Sequence, residues 1–325
     1  MNRILTMGLT VSAAALAALT LAPLPVRPAM LEMPAEAAQP APAAGQIRVQ
    51  VNLVSLFATV RDKKTKKIMT TLEQGDFKIT EDNTDQTITA FSRESNLPIT
   101  LGLLIDTSGS EQGTLGAEQQ AAIRFLDRVL RKGDLAMVIS FDSDADLLSG
   151  FTDDRVMLER AIQRARIAGG SVQGPLGGDP PGTVFYDAVY LACQDRLAQE
   201  AGRKALVILT DAQDNGSRLR VQDAIEAAQR TDTVVHILLV SDGIANEGVA
   251  KKLTDETGGR TIVVRSEKNL VQAFDEISDE LRSQYTLGYY STNTAHDGTF
   301  RKLKVESTRK DVDVLSRRGY YAPKN

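Results

Sequence analysis

The sequence is poor in the residues that build disulfides and soft-metal sites. It has one cysteine, Cys193, which excludes an internal disulfide framework. Since only His236 and His296 accompany it, the composition also argues against a Cys/His zinc site. The net charge of −4 is dispersed along the chain, so there is no basic footprint and no nucleic-acid partner is expected. The 325 residues, 42% of them hydrophobic, suffice for about two domains and a sizeable core.

The N-terminal segment has the pattern of an export signal. Arg3 provides a short positive region, an alanine-rich apolar run follows over residues 4–24, and small residues suited to cleavage stand at Ala35 and Ala37. The run is also long enough to span a membrane, so an uncleaved anchor is the alternative. Its polar content and the proline-rich stretch that follows favour a signal. We therefore expect residues 1–38 to be a signal peptide and linker, and the mature protein to be periplasmic, surface-located or secreted, with no stable membrane span.

Strands and helices alternate over residues 97–282, as is typical of a parallel sheet with crossover helices. Two runs, Ile99 to Ile105 and Lys204 to Leu209, are short and apolar without alternation, which indicates strands buried on both faces. Intervening segments such as 115–129 repeat apolar residues at helical spacing. The pattern predicts an α/β fold with a doubly wound, mostly parallel sheet.

The flanking segments, residues 47–95 and 284–323, are patterned as strands instead. Apolar residues alternate from Ile47, and a hairpin is predicted around the polar stretch from Glu81 to Gln86. Each segment holds too few strands to be stable alone. We therefore expect the two segments to pair in one small β-domain, with the α/β domain inserted between them.

Carboxylate and hydroxyl side chains follow the ends of the two predicted central strands. Asp106 ends the first strand, and Ser108 and Ser110 lie on the turn beyond it. Asp211 ends the second strand, and Thr183 opens an apolar helix between the two. Ligands of doubly wound sheets gather outside the carboxyl ends of strands, and these side chains offer only oxygen, which suits Mg²⁺ or Mn²⁺. For the first stretch alone, capping of the next helix is an equally good interpretation.

In order and context, these residues resemble the metal-ion-dependent adhesion site of von Willebrand factor A domains, and the flanks resemble those of bacterial secreted proteins with a related domain. The resemblance covers the whole predicted α/β domain. It implies that Ser108 and Ser110 bind the metal directly. It also implies that Thr183 and Asp211 bind it directly or through water, with Asp106 as the remaining ligand.

Two positions depart from the family's pattern. Ala212 stands where a glycine is common, and Glu111 follows the last serine. Neither departure removes a ligand. Glu111 is expected to add negative charge at the rim of the site.

The resemblance implies an extracytoplasmic, metal-dependent module for protein binding or adhesion. Because neutral hydroxyls and few carboxylates touch the ion, it would keep enough positive charge to take an Asp or Glu carboxylate from a protein partner. No catalytic residue is expected. One alternative is a hydrolase that uses Ser108 or Ser110 as nucleophile or the metal as Lewis acid, for which no adjacent base is evident. Another is a structural domain whose site stays unused.

The export signal makes a direct prediction about the mature N-terminus. Because signals of this length are removed at small residues, N-terminal sequencing of the mature protein should begin between about Ala35 and Gln46. An intact Met1 on a membrane-embedded product would show that the segment is an anchor.

Overall fold

The computed structural model describes residues 53–93, 97–167, 182–240 and 245–324. The predicted signal peptide and linker lie outside the described residues. So do the start of the strand predicted from Ile47 and most of the Gly/Pro-rich loop that precedes Thr183 in the sequence. The fold is therefore described from Leu53 onwards.

The elements follow the alternation that the sequence predicts. The strands, in chain order, are β1 (Leu53–Asp62), β2 (Phe77–Glu81), β3 (Thr84–Gln86), β4 (Ile88–Ser92), β5 (Ile99–Asp106), β6 (Leu135–Phe141), β7 (Ala145–Thr152), β8 (Arg203–Thr210), β9 (Thr233–Val240), β10 (Thr261–Val264), β11 (Tyr285–Tyr290), β12 (Phe300–Ser307), β13 (Val312–Leu315) and β14 (Gly319–Tyr321). The helices are α1 (Leu115–Val129), α2 (Arg155–Arg164), α3 (Phe185–Leu191), α4 (Val221–Arg230), α5 (Glu247–Thr257) and α6 (Glu267–Arg282).

The centre of the α/β domain is a sheet with the strand order β10-β9-β8-β5-β6-β7. Neighbouring strands are parallel except β6 and β7, which are antiparallel. Every residue of β5 is buried, because layers of helices cover both faces of the sheet. This burial explains why the apolar run in β5 shows no alternation.

Helices pack on both faces of this sheet. α1, α2 and α6 cover one face, where the rings of Phe125 and Phe274 stack with centroids 4.7 Å apart. α3, α4 and α5 cover the other, where Phe141 and Phe185 stack at 5.9 Å. The predicted doubly wound, mostly parallel α/β fold is confirmed. Among the helices of the described ranges, none is long and apolar enough to cross a membrane.

The order of the strands reverses beside β5. From β5 the chain passes through α1 to β6 on one side, and it later returns to place β8 on the other side. The carboxyl ends of β5 and β8 are therefore adjacent, which is the usual ligand position in such sheets. Asp106 is the last residue of β5 and Asp211 follows β8, so both predicted aspartates reach this position.

The flanking segments pair with each other in two antiparallel sheets. In one sheet β1 lies between β11 and β13, and β4 pairs with the other side of β11. In the other, β12 lies between β2 and β14, and β3 pairs with β2. Apolar side chains of both segments, such as Leu56, Ile79, Tyr285 and Leu303, share one core. The first segment cannot build this core alone, since β1 hydrogen-bonds on both sides to strands of the second.

One hairpin differs from its predicted form. β2 turns at Asp82 and Asn83, whose φ angles are 47° and 66°, and pairs with the short strand β3. β4 was expected to return along β2 but pairs with β11 in the other sheet. A two-residue turn with both φ angles positive matches the right-handed twist of paired strands, so the chain reverses within the polar stretch. The following strand, β4, is then free to pair with β11 in the sheet that contains β1.

Buried ion pairs join the flanking sheets to the α/β domain. Arg61 Nη1 on β1 lies 3.0 Å from Glu280 Oε1 on α6, and Arg260 Nη2 lies 2.8 Å from the same oxygen. Glu280 is 1% exposed, and burial raises the pKa of its carboxyl although both guanidinium groups oppose this effect. Arg260 directly precedes β10, so this cluster lies at the edge of the sheet opposite to Asp106.

We expect the α/β domain to fold without its flanks. Removal of residues 284–325 takes away both neighbours of β1, so residues 53–93 should become unstructured and protease-sensitive. Residues 97–283 keep the whole central sheet and should stay resistant, because Arg260 still compensates Glu280. Limited proteolysis followed by mass spectrometry compares the truncated chain with the full chain. A resistant fragment that retains residues 53–93 would contradict this division.

Candidate functional site

Asp106 is the fully buried end of β5. Its Oδ1 accepts a hydrogen bond from the backbone N–H of Ser108 at 2.9 Å, and its Oδ2 accepts one from the Thr210 hydroxyl at 2.6 Å. Burial raises the pKa of Asp106 to about 6, although the hydrogen bonds from Ser108 and Thr210 lower it. The carboxylate is thus fixed in orientation and poorly solvated, so a nearby cation would stabilise its charged form.

Ser108 and Ser110 lie on the turn that follows β5. Their hydroxyl oxygens are 3.0 Å apart, because a short 3₁₀ turn over Gly109–Glu111 brings the two alternate side chains together. Ser110 is exposed and Ser108 is partly exposed. The turn therefore offers two neutral, accessible oxygens next to the buried Asp106.

Asp211 lies directly after β8 and is 3% exposed. Its Oδ1 accepts a hydrogen bond from the backbone N–H of Gln213 at 2.9 Å. One carboxylate oxygen each of Asp106, Glu111 and Asp211 lies within 4.8 Å of the other two. The structure therefore brings two of the predicted residues together and adds Glu111 to them.

Thr183 lies at the same edge of the sheet. Its backbone N–H donates to Asn215 Oδ1 at 2.5 Å, on the loop after β8. The next residue, Val184, donates its N–H to the backbone oxygen of Asp142 at 2.7 Å, after β6. Thr183 is 7% exposed, and within the described ranges no direct hydrogen bond links it to either aspartate of the cluster. Its backbone N–H rather than its hydroxyl thus holds it at this edge of the sheet.

The sequence led us to expect Glu111 at the rim of the site, but in the structure its side chain is buried. It is 1% exposed because the 3₁₀ turn directs its side chain inward, where the Thr114 hydroxyl donates to Oε2 at 3.0 Å. Burial, followed by the charges of Glu118 and Asp106, raises the pKa of Glu111 to about 9. The sequence signal was its position directly after Ser110, but burial of a glutamate cannot be read from that position alone.

The donor set fits a hard divalent cation. Ligand oxygens on opposite sides of an ion are separated by twice the metal–oxygen distance, about 4.2 Å for Mg²⁺ and about 4.6–5.2 Å for Ca²⁺. The three carboxylate oxygens all lie within 4.8 Å of one another, a limit of the same order as these separations. Three buried carboxylates also repel one another, so a cation between them would remove an unfavourable interaction. The neighbouring serine hydroxyls are further oxygen donors of the same kind.

Neither histidine belongs to this cluster. His236 lies within β9, is 2% exposed, and its Nδ1 is 3.9 Å from Glu280 Oε2 at the opposite edge of the domain. Burial lowers the pKa of His236 to about 3, so its imidazole is neutral. His296 lies in the connection between β11 and β12. A histidine base for Ser108 or Ser110 is therefore not provided by this arrangement.

Comparison with known proteins identifies the domain. The von Willebrand factor type A domain matches residues 101–213, a range that contains all five predicted site residues. Calcium-activated chloride channel regulator 1 of Bos taurus is 28% identical over 185 residues, which are 54% of this chain and 18% of that protein. The chain thus spans less than a fifth of the length of this relative.

Similar folds occur among solved structures. The von Willebrand factor type A protein from Catenulispora acidiphila is 12% identical with a TM-score of 0.48, over 79% of this chain and 75% of that chain. The vWF domain of the type V pili tip protein Mfa5 from Porphyromonas gingivalis is 15% identical with a TM-score of 0.43, over 57% of this chain and 96% of that chain. Residues 101–213, which lie within the doubly wound sheet described above, are thus matched by the von Willebrand factor type A domain family.

Proposed function

We propose that the chain is an exported, metal-dependent protein-binding module. In this proposal Asp106, Ser108, Ser110, Thr183 and Asp211 hold Mg²⁺ or Mn²⁺, and a protein partner supplies an Asp or Glu carboxylate to the ion. The observation that carries the proposal is the pair of buried carboxylates beside two accessible hydroxyls, at the point where the strand order reverses.

In this arrangement the residues that attract the ion differ from those that leave it accessible to a partner. Asp106 and Asp211 are 0% and 3% exposed, so their charges attract a cation through protein rather than through water. Ser108 and Ser110 are neutral and accessible, so they leave the charge of the ion uncompensated towards solvent. When bound, the ion supplies an electrophilic position that an incoming carboxylate can occupy. Specific affinity must also come from the surface around the site, because one contact to an ion does not offset the cost of association.

The extracytoplasmic location is supported by the sequence pattern of residues 1–38. The one thiol of the chain is compatible with an oxidising compartment, because Cys193 is fully buried. Burial raises the pKa of Cys193 to about 12, so the thiolate that would form intermolecular disulfides is suppressed.

Asp106→Ala should abolish metal binding, because it removes a buried charge at the ion and the acceptor that orders the serine turn. Ser108→Ala should weaken binding less, since a neutral hydroxyl attracts a cation less than a carboxylate does. Calorimetric titration with Mg²⁺ and Mn²⁺ measures both effects. Asp144→Ala is the matched control, because it removes an exposed carboxylate from the nearby β6–β7 turn and should titrate as wild type. Equal heats from wild type and Asp106→Ala would disprove the site.

Partner capture should depend on the same ion. A protein retained from the native envelope by the wild-type chain in Mg²⁺ should be lost in EDTA and lost with Asp106→Ala as bait. Asp144→Ala should still retain it. Capture that is indifferent to EDTA would show that the ion does not mediate binding.

A further inference from the structure

The carboxylate of Glu111 lies inside the proposed site although the residue is not one of its five members. One of its oxygens is within 4.8 Å of carboxylate oxygens of both Asp106 and Asp211. The Thr114 hydroxyl donates to Oε2, whereas Oε1 is buried without a hydrogen-bond partner in the described part of the chain. A buried carboxylate oxygen with no donor is costly unless a positive group satisfies it. A cation held by the two aspartates would be that group.

We propose that Glu111 is an additional ligand of the ion, and that its charge strengthens metal binding while it weakens the capture of an external carboxylate. The inference rests on the proposed function, because it needs the ion to bind at Asp106 and Asp211. In this inference the charge of Glu111, added to those of the two aspartates, reduces the attraction of the bound ion for an external anion.

The charges of the site account for both effects. The carboxylates of Asp106 and Asp211 balance one divalent cation, whereas a third carboxylate from Glu111 leaves one net negative charge. In the ion-bound protein the added charge holds the ion from within the protein, where screening by water is weak. The same charge repels an incoming carboxylate. A partner therefore meets an ion that is tightly held and whose positive charge is exceeded by that of the three carboxylates.

Glu111→Gln tests the inference in the full chain, because it keeps the size of the side chain and removes its charge. The Mn²⁺ affinity measured by calorimetry should fall about tenfold or more. Water-proton relaxation should show more water on the bound Mn²⁺ in the variant, because a protein ligand has been weakened. Acetate titrated into the Mn²⁺-loaded proteins should bind the variant more tightly than wild type. The two affinities should thus change in opposite directions.

Glu118→Gln is the matched control. Glu118 is a fully buried glutamate on α1 whose charge acts on Glu111 but which lies outside the three-carboxylate group, so its variant should lower the Mn²⁺ affinity less than Glu111→Gln does and leave the water count on bound Mn²⁺ unchanged. Equal loss of Mn²⁺ affinity in Glu111→Gln and Glu118→Gln would indicate a general charge effect and overturn the ligand assignment. Glu111→Asp keeps the charge but withdraws the oxygens by one methylene. It should lower the Mn²⁺ affinity and raise the water count in the same way, and it decides the question if Glu111→Gln does not fold.

Different experimental results would disprove this inference and the proposed function. If wild type binds Mn²⁺, Asp106→Ala does not, and Glu111→Gln matches wild type in both titrations, the inference is wrong and the five-residue site stands. If wild type binds no Mn²⁺, both are wrong.

Discussion

Buried negative charge at the carboxyl edge of the central sheet is the constraint on which the site depends. The reversal of strand order beside β5 brings Asp106 and Asp211 together, and the 3₁₀ turn after β5 adds Glu111 to them. Hydrogen bonds from Ser108 and Thr210 reach Asp106, but its pKa still rises to about 6 because burial outweighs them. The hydrogen bonds of the protein therefore do not offset the cost of burying the Asp106 carboxylate, and the turn after β5 presents the hydroxyls of Ser108 and Ser110 beside it.

The flanking sheets leave this edge open because they attach to the other one. The chain enters the α/β domain at Leu97 and leaves after Arg282, and both positions lie at the amino edge of the sheet. There Arg203 donates to Gln284 Oε1 at 2.5 Å, and Arg61 reaches Glu280. The two flanking segments pair with each other, and both join the α/β domain at its amino edge. Their sheets therefore form at that edge. A partner can then approach the carboxyl edge without contacting the flanking strands.

Sequence reasoning predicts features that depend on local pattern and misses those that depend on distant contacts. The apolar runs of β5 and β8 and the aspartates after them were predictable, because burial on both faces leaves an unalternated run. The sheet that β4 joins could not be predicted, because β4 pairs with β11, which lies almost two hundred residues further along the chain. Ala212 adopts φ of 58°, a left-handed conformation that costs roughly 1–2 kcal/mol without glycine, which explains why glycine is common there.

In the proposed site, the single carboxylate of Glu111 would shift the balance between holding an ion and binding a partner. An ion at this edge faces buried carboxylates on its protein side and hydroxyls on its accessible side, so each further buried charge increases retention of the ion. The same charge decreases the attraction that the ion exerts on an external anion. With a third carboxylate in place, contact with the ion contributes less to binding, and a larger share must come from shape and polar contacts around the site. Such a module would select its partner by surface fit, and the ion would fix the register of the complex rather than supply most of its affinity.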